Sequence, residues 1–161
     1  MDIQTIRLEI PEGSNIIFGQ SHFIKTVEDL YEALIGSAPG IKFGLAFCEA
    51  SQHCLIRTEG NDPDLVNACI RNAESVGAGH TFFILIREAF PINCLNAVKG
   101  CPEVCRIFCA TANPVEVLVA QSEQGRGVLG IIDGFSPKGT ETEKDKSDRK
   151  ELLRRFGYKL K

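Results

Sequence analysis

A run of nine residues, HTFFILIRE at positions 80–88, most constrains how this chain of 161 residues can fold. Apolar side chains occupy both odd and even positions of the run, so a strand formed here is apolar on both faces. Both faces of that strand must be covered. The run therefore predicts a central strand in a sheet with further layers packed against it.

Strand-like and helix-like segments alternate around this run. Apolar alternation and short apolar runs predict strands at 3–10, 43–50, 53–60, 103–112, 115–121 and 127–133. Capping residues and helix-starting prolines predict helices that begin at Thr26, Pro63 and Pro91, and a fourth helix at about 147–156. The alternation predicts an α/β fold, a single compact domain with a mixed β-sheet flanked by helices.

Charge is unevenly distributed along this predicted single domain, residues 1–161. The chain has 18 Lys and Arg against 21 Asp and Glu, but 9 of the basic residues lie at 138–161, where only 5 are acidic. A polar loop at about 136–149 leads into this basic C-terminal segment. The segment is either a solvated tail or a cationic arm that closes over an anionic ligand or a neighbouring subunit.

The overall composition argues against several classes of protein. A net charge of −3 gives no support for nucleic-acid binding, which usually accompanies a basic excess. The apolar runs are far shorter than the ~20 residues that span a bilayer. The first residues, MDIQT, lack the basic start of a signal peptide. We therefore expect a cytoplasmic protein without membrane or nucleic-acid partners.

Seven cysteines are present, and none belongs to a C-x-x-C pair. Closely spaced pairs would indicate a zinc site, and an even number in a secreted chain would indicate a disulfide framework. Most of these cysteines instead lie within apolar runs, where a free thiol behaves as a small buried hydrophobe. We expect mainly buried, reduced thiols.

Polar side chains are concentrated in GQSHFIKT at 19–26, at the start of the first predicted helix. A helix N-terminus offers unpaired N–H groups and a partial positive charge, which favour a phosphate. Lys25 adds a full positive charge, and Gly19 allows the backbone to approach a ligand closely. The segment is thus a candidate anion site that includes Gln20 and His22. The alternative is an ordinary loop in which His22 caps the backbone.

Two further histidines follow along the chain. His80 stands at the entrance to the predicted central strand, after two glycines, and is either a satisfied core histidine or a site residue. His53 lies at a predicted turn near Ser51 between two strands and is expected to be exposed. An imidazole has a pKa near ~6.5, so His22 and His80 can each serve as acid, base or phosphoryl acceptor.

Isolated polar residues stand at the ends of other predicted elements. Arg57 and Arg126 are candidates for binding phosphate oxygens, and Glu49 and Asp133 for holding Mg²⁺ or accepting a hydroxyl proton. Further candidate ligand-binding residues are Ser51, Asn61, Asn93 and Asn113. A surface ion pair or a turn also explains each of these residues. The phosphate-binding signature G-x-x-x-x-G-K-[ST] is absent, so a nucleotide site here would use another scaffold.

Seven motifs follow one another along the chain from about Ile3 to Lys159. They are GQSHFIKTVEDLYEAL, FGLAFCEAS, GNDPDL, GAGHTFFILIREAFPINCLNAVK, PEVCRIFCATANPVEVLVA, GRGVLGIIDG and RRFGYK. Together they resemble the adenosine-specific kinases, a small prokaryotic family. The resemblance implies a compact α/β domain that assembles as a homo-oligomer and binds adenosine or AMP. It also implies that the polar candidates named above contribute to that site, and all of these except Arg57 lie in the seven motifs.

We predict a protein that binds adenosine or AMP and transfers a phosphoryl group, directly or through a phosphohistidine. His22 is the first candidate acceptor, because it lies beside Lys25 and a predicted helix N-terminus, and His80 is the second. Cationic side chains would disperse the phosphoryl charge, with Mg²⁺ and ATP or another donor as cofactors. The alternatives are a non-catalytic sensor of adenine nucleotides and an assembly protein whose polar motifs are subunit contacts.

Overall fold

Eight strands and four helices make up the computed structural model, which describes residues 1–161. In chain order the elements are β1 (Asp2–Arg7), β2 (Asn15–Ser21), α1 (Thr26–Ile35), β3 (Lys42–Cys48), β4 (Ile56–Gly60), α2 (Pro63–Val76), β5 (Thr81–Arg87), α3 (Pro91–Lys99), β6 (Val104–Thr111), β7 (Val115–Gln121), β8 (Arg126–Asp133) and α4 (Glu143–Arg155). None of the helices has the length and apolar character needed to cross a membrane.

The apolar run at 80–88 forms the middle strand of a five-stranded sheet. The strand order β4-β3-β5-β2-β6 places β5 at the centre, and its side chains alternate between two cores. Phe83 and Leu85 pack in the core that includes α2, whereas Phe82, Ile84 and Ile86 pack in the core that includes α1 and α3. This burial on both faces is what the apolar run predicts.

A second sheet of three strands, in the order β1-β7-β8, closes the core on the α2 side. All strand pairings within the two sheets are antiparallel. The α/β prediction is confirmed, although the strands form two antiparallel sheets and not one mixed sheet. The reason is the position of β5. Strands β2 and β3, which precede and follow α1 in the chain, run in the same direction. In the sheet, however, β5 lies between them and pairs antiparallel with both.

Strand β2 is absent from the sequence-based prediction. Its residues are almost wholly buried and pair with both β5 and β6. Gly19, which we expected to admit a ligand, lies within this strand. A Cβ at Gly19 would come within 2.5 Å of the Phe82 ring and 2.6 Å of the Arg106 carbonyl oxygen. Gly19 is therefore needed for the close packing of the Phe82 ring and of strand β6. This corrects our expectation that Gly19 allows the backbone to approach a ligand.

The capping of α1 and the start of α4 differ from the sequence-based prediction, although α1 begins at Thr26 as predicted. The capping box expected at Thr26 does not form, because Thr26 is buried and its hydroxyl donates a hydrogen bond to the Phe23 carbonyl. Helix α4 begins four residues earlier than predicted. The Thr142 hydroxyl accepts from the Asp145 N–H, and the Asp145 carboxylate accepts from the Thr142 N–H, which forms a capping box there.

All seven cysteines are free. Five of them are buried, which confirms the expectation of buried thiols for those positions. Cys54 and Cys105 are exposed, because one lies in the loop between β3 and β4 and the other at the outer edge strand β6.

Candidate functional site

The ends of five strands meet along one edge of the five-stranded sheet. Strands β2 and β3 end there, and β4, β5 and β6 begin there, because neighbouring strands are antiparallel. The structure thereby brings together several of the predicted site residues. We call this group the histidine edge, and it comprises Gln20, His22, Glu49, Arg57 and His80.

Main-chain hydrogen bonds connect the strands along the histidine edge. The His22 N–H donates to the Glu103 carbonyl at 3.1 Å, and the Ser21 N–H donates to the His80 carbonyl at 3.0 Å. The His80 N–H in turn donates to the Cys48 carbonyl at 2.7 Å. Backbone atoms thus fix His80 between Cys48 and Ser21 and fix His22 against Glu103, and neither imidazole ring takes part in these bonds.

The two imidazoles differ in their surroundings. His22 is exposed, with its ring centroid 6.5 Å from that of Phe23. His80 is half-buried, and its ring stacks on Phe47 at 5.8 Å. The φ angle of His80 is +64°, a left-handed conformation that is uncommon outside glycine. His22 is thus the more accessible of the two rings, whereas His80 is fixed by an aromatic neighbour. His53 is exposed, as expected.

Glu49 and Arg57 form an ion pair beside the histidines. Arg57 Nη2 lies 3.2 Å from both carboxylate oxygens, and the Leu55 N–H donates to Glu49 Oε2 at 2.9 Å. The bond from Leu55, together with Arg57, lowers the pKa of Glu49 below its ordinary value. Arg57 Nε is buried and has no hydrogen-bond partner. The arginine therefore retains one N–H donor that nothing in the chain satisfies.

Lys25, the predicted anion-binding cation, is engaged by two carboxylates. Its ammonium group contacts Asp29 and lies 3.0 Å from Glu103 Oε1. These two hydrogen bonds raise the pKa of Lys25 above its ordinary value. The positive charge on which the predicted anion site depends is consequently balanced within the chain.

Glu103 is a residue of this region that the sequence analysis did not single out. Its side chain is only 4% exposed and binds Lys25, while its carbonyl accepts from His22. Its other carboxylate oxygen, Oε2, is buried without a partner. Glu103 thus holds both ends of the loop from His22 to Lys25. The surrounding sequence PEVCRIF is typical of the start of any β-strand, so it gives no indication that Glu103 binds Lys25 and His22.

A cleft of about 830 Å³ opens beside the histidine edge. It lies between the β3–β4 loop, the C-terminal end of α2 and the hairpin that joins β7 to β8. Glu49 and Arg126 both line it, as does Gly79, the residue before His80. Ser51 is exposed in the same β3–β4 loop. The structure therefore places a cavity next to four of the predicted site positions.

Arg126 is fixed against the end of α2. Its Nη1 donates to the carbonyls of Ser75 at 2.9 Å and Val76 at 3.4 Å, and its Nε donates to Gln121 Oε1 at 2.6 Å. A cation at this position also interacts favourably with the negative end of the helix dipole. Arg126 is thus a positioned cation in the cleft wall.

Four predicted site residues lie at the opposite end of the sheet, where β4 and β6 end. They are Asn61, Asn93, Asn113 and Asp133. Asn61 bonds the backbone of β3, Asn93 accepts from the N–H of Phe90 at the start of α3, and Asn113 donates to Asp133. The structure separates these four residues from the histidines, and it places Asp133 at the opposite end of the sheet from Glu49.

Comparison with known proteins agrees with the motifs. The family model described as "Adenosine specific kinase" matches residues 6–159. The chain belongs to the adenosine-specific kinase family. Among solved structures, this member of the adenosine-specific kinase family is similar to the PH1918 protein of Pyrococcus horikoshii OT3. The two are 46% identical, with a TM-score of 0.95 over 99% of each chain. No curated protein matches the chain.

Proposed function

We propose that this protein transfers a phosphoryl group between ATP and adenosine or AMP, with a histidine of the histidine edge as the intermediate acceptor. Membership of the adenosine-specific kinase family supports the substrate class. The observation that carries the mechanism is the 3.0 Å bond between the Ser21 N–H and the His80 carbonyl. It joins the residue that precedes His22 to His80, at the edge of the sheet where both histidines lie.

In this mechanism His22 is the acceptor, because its ring is the more exposed. An imidazole nitrogen attacks the γ-phosphorus of ATP, and the bond from phosphorus to the bridging oxygen breaks, leaving ADP with the electron pair. The phosphohistidine then passes the phosphoryl group to a hydroxyl or phosphate oxygen of the nucleoside. When the N–P bond breaks, the imidazole regains its lone pair and takes the proton that the hydroxyl loses.

Cationic side chains stabilise the phosphoryl charge in this proposal. Arg57, whose side chain is 33% exposed, supplies a positive charge at the histidine edge, and Arg126 stands in the wall of the 830 Å³ cleft that would hold the nucleoside. Glu49 orients Arg57 through two 3.2 Å contacts. Because its pKa is lowered, Glu49 is better suited to this role than to accepting a proton. ATP would enter with its own Mg²⁺.

The experiment is incubation with γ-labelled ATP, followed by a count of acid-labile, base-stable label on the protein. We expect label on the native chain and a near-complete loss in His22→Ala. His53→Ala is the matched control, because His53 is also exposed but lies in the β3–β4 loop. Loss of label in His80→Ala alone would move the acceptor to His80. Equal label in all three variants would remove histidine from the mechanism.

A non-catalytic sensor of adenine nucleotides is the second candidate function. Lys25 and Arg57 are both paired with carboxylates, which leaves less free positive charge for a transferred phosphoryl group than a kinase usually provides. Calorimetry with AMP, ADP, ATP and adenosine separates the two candidates. Tight AMP binding, with no product formed over hours in the presence of ATP, favours the sensor.

A further inference from the structure

The loop that carries His22 is bound to the start of β6 by a residue with a buried carboxyl group. Glu103, the residue before β6, has a side chain that is only 4% exposed, and its carbonyl accepts from the His22 N–H at 3.1 Å. Its Oε1 lies 3.0 Å from Lys25 Nζ, whereas its Oε2 is buried without a partner. Buried polar atoms are normally bonded, because an unpaired one loses its hydration without compensation. Since Oε2 is closed off from solvent, the missing partner must come from within the chain.

Asp29, in the first turn of α1, supplies that partner, and we call Asp29 and Glu103 the carboxyl pair. Lys25 Nζ contacts both members, so one ammonium group brings the two side chains together. Hydrogen bonds from Glu103 and Lys25 lower the pKa of Asp29 below its ordinary value. An ionised carboxylate only accepts hydrogen bonds, so a bond between two carboxyl groups requires a proton on one of them. Asp29 is 19% exposed and Glu103 only 4%, and burial disfavours the charged form, which favours a proton on Glu103 Oε2.

The charged and titratable groups around the carboxyl pair favour the same arrangement. Lys25, the N-cap residue of α1, brings one positive charge to two carboxyl groups. Cys101, after α3, directs its thiol to the Asp29 carbonyl at 3.8 Å, and burial raises the pKa of that thiol, so it stays uncharged. Cys105, in β6, directs its thiol to the Glu103 carbonyl at 3.6 Å. One shared proton makes the cluster neutral, whereas two ionised carboxylates would leave a net negative charge in a buried site, which is costly.

We propose that the carboxyl pair shares one proton in the native protein, and that protonated Glu103 is a positioning residue for His22. The bond between the two side chains joins α1 to β6, and the loop from His22 to Lys25 is attached to both elements. Loss of the proton breaks that bond and sets two like charges against each other, which loosens the loop. A neutral cluster also places no excess negative charge beside His22, so an incoming phosphoryl group is not repelled. The positioning role rests on the proposed phosphoryl transfer, whereas the shared proton does not depend on it.

Infrared spectroscopy tests the shared proton, because the C=O stretch of a protonated carboxyl group is resolved from the bands of carboxylates. At neutral pH the native protein should show the band of one protonated carboxyl group, and Glu103→Gln should lack it. Glu28→Gln is the matched control and should keep the band, because Glu28 is exposed and lies in the same first turn of α1 as Asp29. Absence of the band from the native protein, or its persistence in Glu103→Gln, would overturn the proposal.

Thermal denaturation distinguishes a shared proton from an ordinary ion pair. The amide of Glu103→Gln can donate an N–H to Asp29 in place of the proton, so its Tm at neutral pH should lie within about 2 °C of the native value. Glu103→Ala removes the bond and should lower the Tm by about 5 °C or more. If both carboxyl groups were ionised, Glu103→Gln would lose an ion pair to Lys25. An equal decrease of Tm in both variants would therefore contradict the shared proton.

The pH dependence of the γ-label on His22 tests the positioning role. As the pH rises and the carboxyl pair loses its proton, the native protein should lose label several-fold relative to Glu103→Gln, whose amide does not ionise. Glu28→Gln should follow the native profile. Superimposable profiles of the native protein and Glu103→Gln would rule out the positioning role. If the native protein takes no label at any pH, the proposed transfer fails and the positioning role fails with it, while the infrared band still decides the shared proton.

Discussion

The thiol groups illustrate how burial sets chemistry at single residues. Loss of hydration disfavours the thiolate, which raises the pKa of Cys94 to about 11 and that of Cys109 to about 12. Cys54 and Cys105 are exposed. We expect only these two to react with a thiol reagent in the native protein at mildly alkaline pH. The remaining five should react after unfolding, as a timed count of modified thiols can measure.

The double variant Cys54→Ser, Cys105→Ser provides the check on that count. It should have no fast-reacting thiol in the folded state and five in denaturant. A fast reaction of the folded double variant would mean that one of the buried thiols opens to solvent.

Gly19 shows a second effect at the residue scale, the lack of space for one methyl group. A Cβ there would stand 2.5 Å from the Phe82 ring, in the middle of the central sheet. We expect Gly19→Ala to lower the free energy of unfolding by about 2–3 kcal/mol, the usual cost of overpacking a core. Denaturant melts measure it. Gly127→Ala is the control, since nothing lies within 4 Å of a Cβ at Gly127, and its effect should be much smaller.

Glu49 gives a pH dependence whose sign follows from its bonds. The Leu55 N–H and Arg57 hold its pKa below the ordinary value of 4.5. Its contribution to folding is therefore fully present above pH 4.5 and is lost as the pH falls through the lowered value. Carbon-13 NMR of the carboxyl should find the titration below 4.5. Arg57→Met should raise this pKa but leave it below 4.5, because the hydrogen bond from the Leu55 N–H remains. A full return to 4.5 would contradict the conclusion that the Leu55 bond lowers the pKa more than Arg57 does.

At the scale of elements, the predictions from sequence succeed where the signal is local. The Asp62-Pro63 start of α2 and the Pro91 start of α3 are set by residues that adjoin the helix, and both were predicted. Strand β2 was missed because its defining contacts are distant. Its glycine is required by Phe82, which follows more than sixty positions later, and its apolar residues are paired on both sides by strands that come later in the chain.

Helices α2 and α4 provide a paired test of what a helix cap contributes. The Asp62 side chain accepts from the N–H groups of Asp64 and Leu65, and α2 packs into the core. We expect Asp62→Ala to lower the free energy of unfolding by about 1 kcal/mol. No residue of α4 is buried. Thr142→Ala should therefore increase amide exchange within α4 and leave the global denaturation midpoint unchanged. Equal shifts of the midpoint in both variants would mean that α4 is packed.

At the scale of the whole molecule, the sequence predicts which residues are candidates for the site, but it does not predict which of them lie close together. Gln20, His22, Glu49, Arg57 and His80 were each selected from local chemistry, and the sheet brings them to one edge. The asparagines at positions 61, 93 and 113 were selected by the same reasoning and lie at the other end. Which strand ends meet depends on the insertion of β5 between β2 and β3, a pairing between distant segments that no local pattern specifies.

Removal of residues 138–161 tests how far the domain depends on its C-terminal arm. Neither core cluster contains a residue beyond 131. The shortened chain should fold with a Tm within about 3 °C of the full chain, although its net charge falls from −3 to −7. Circular dichroism melts measure this. A large decrease in Tm would show that residues 138–161 stabilise the rest of the domain more than their exposed side chains indicate.

The links across the histidine edge run between peptide groups, and every amino acid except proline can supply them. Position 22 is consequently open to redesign, because its N–H bond to Glu103 does not depend on the identity of the side chain. At position 80 the left-handed φ angle restricts the choice of residue. A cysteine or a glutamate could be installed at position 22 on an unaltered framework. Asparagine at position 80 would retain the left-handed turn that His80 adopts. The backbone of the histidine edge can thus position reactive side chains other than imidazole.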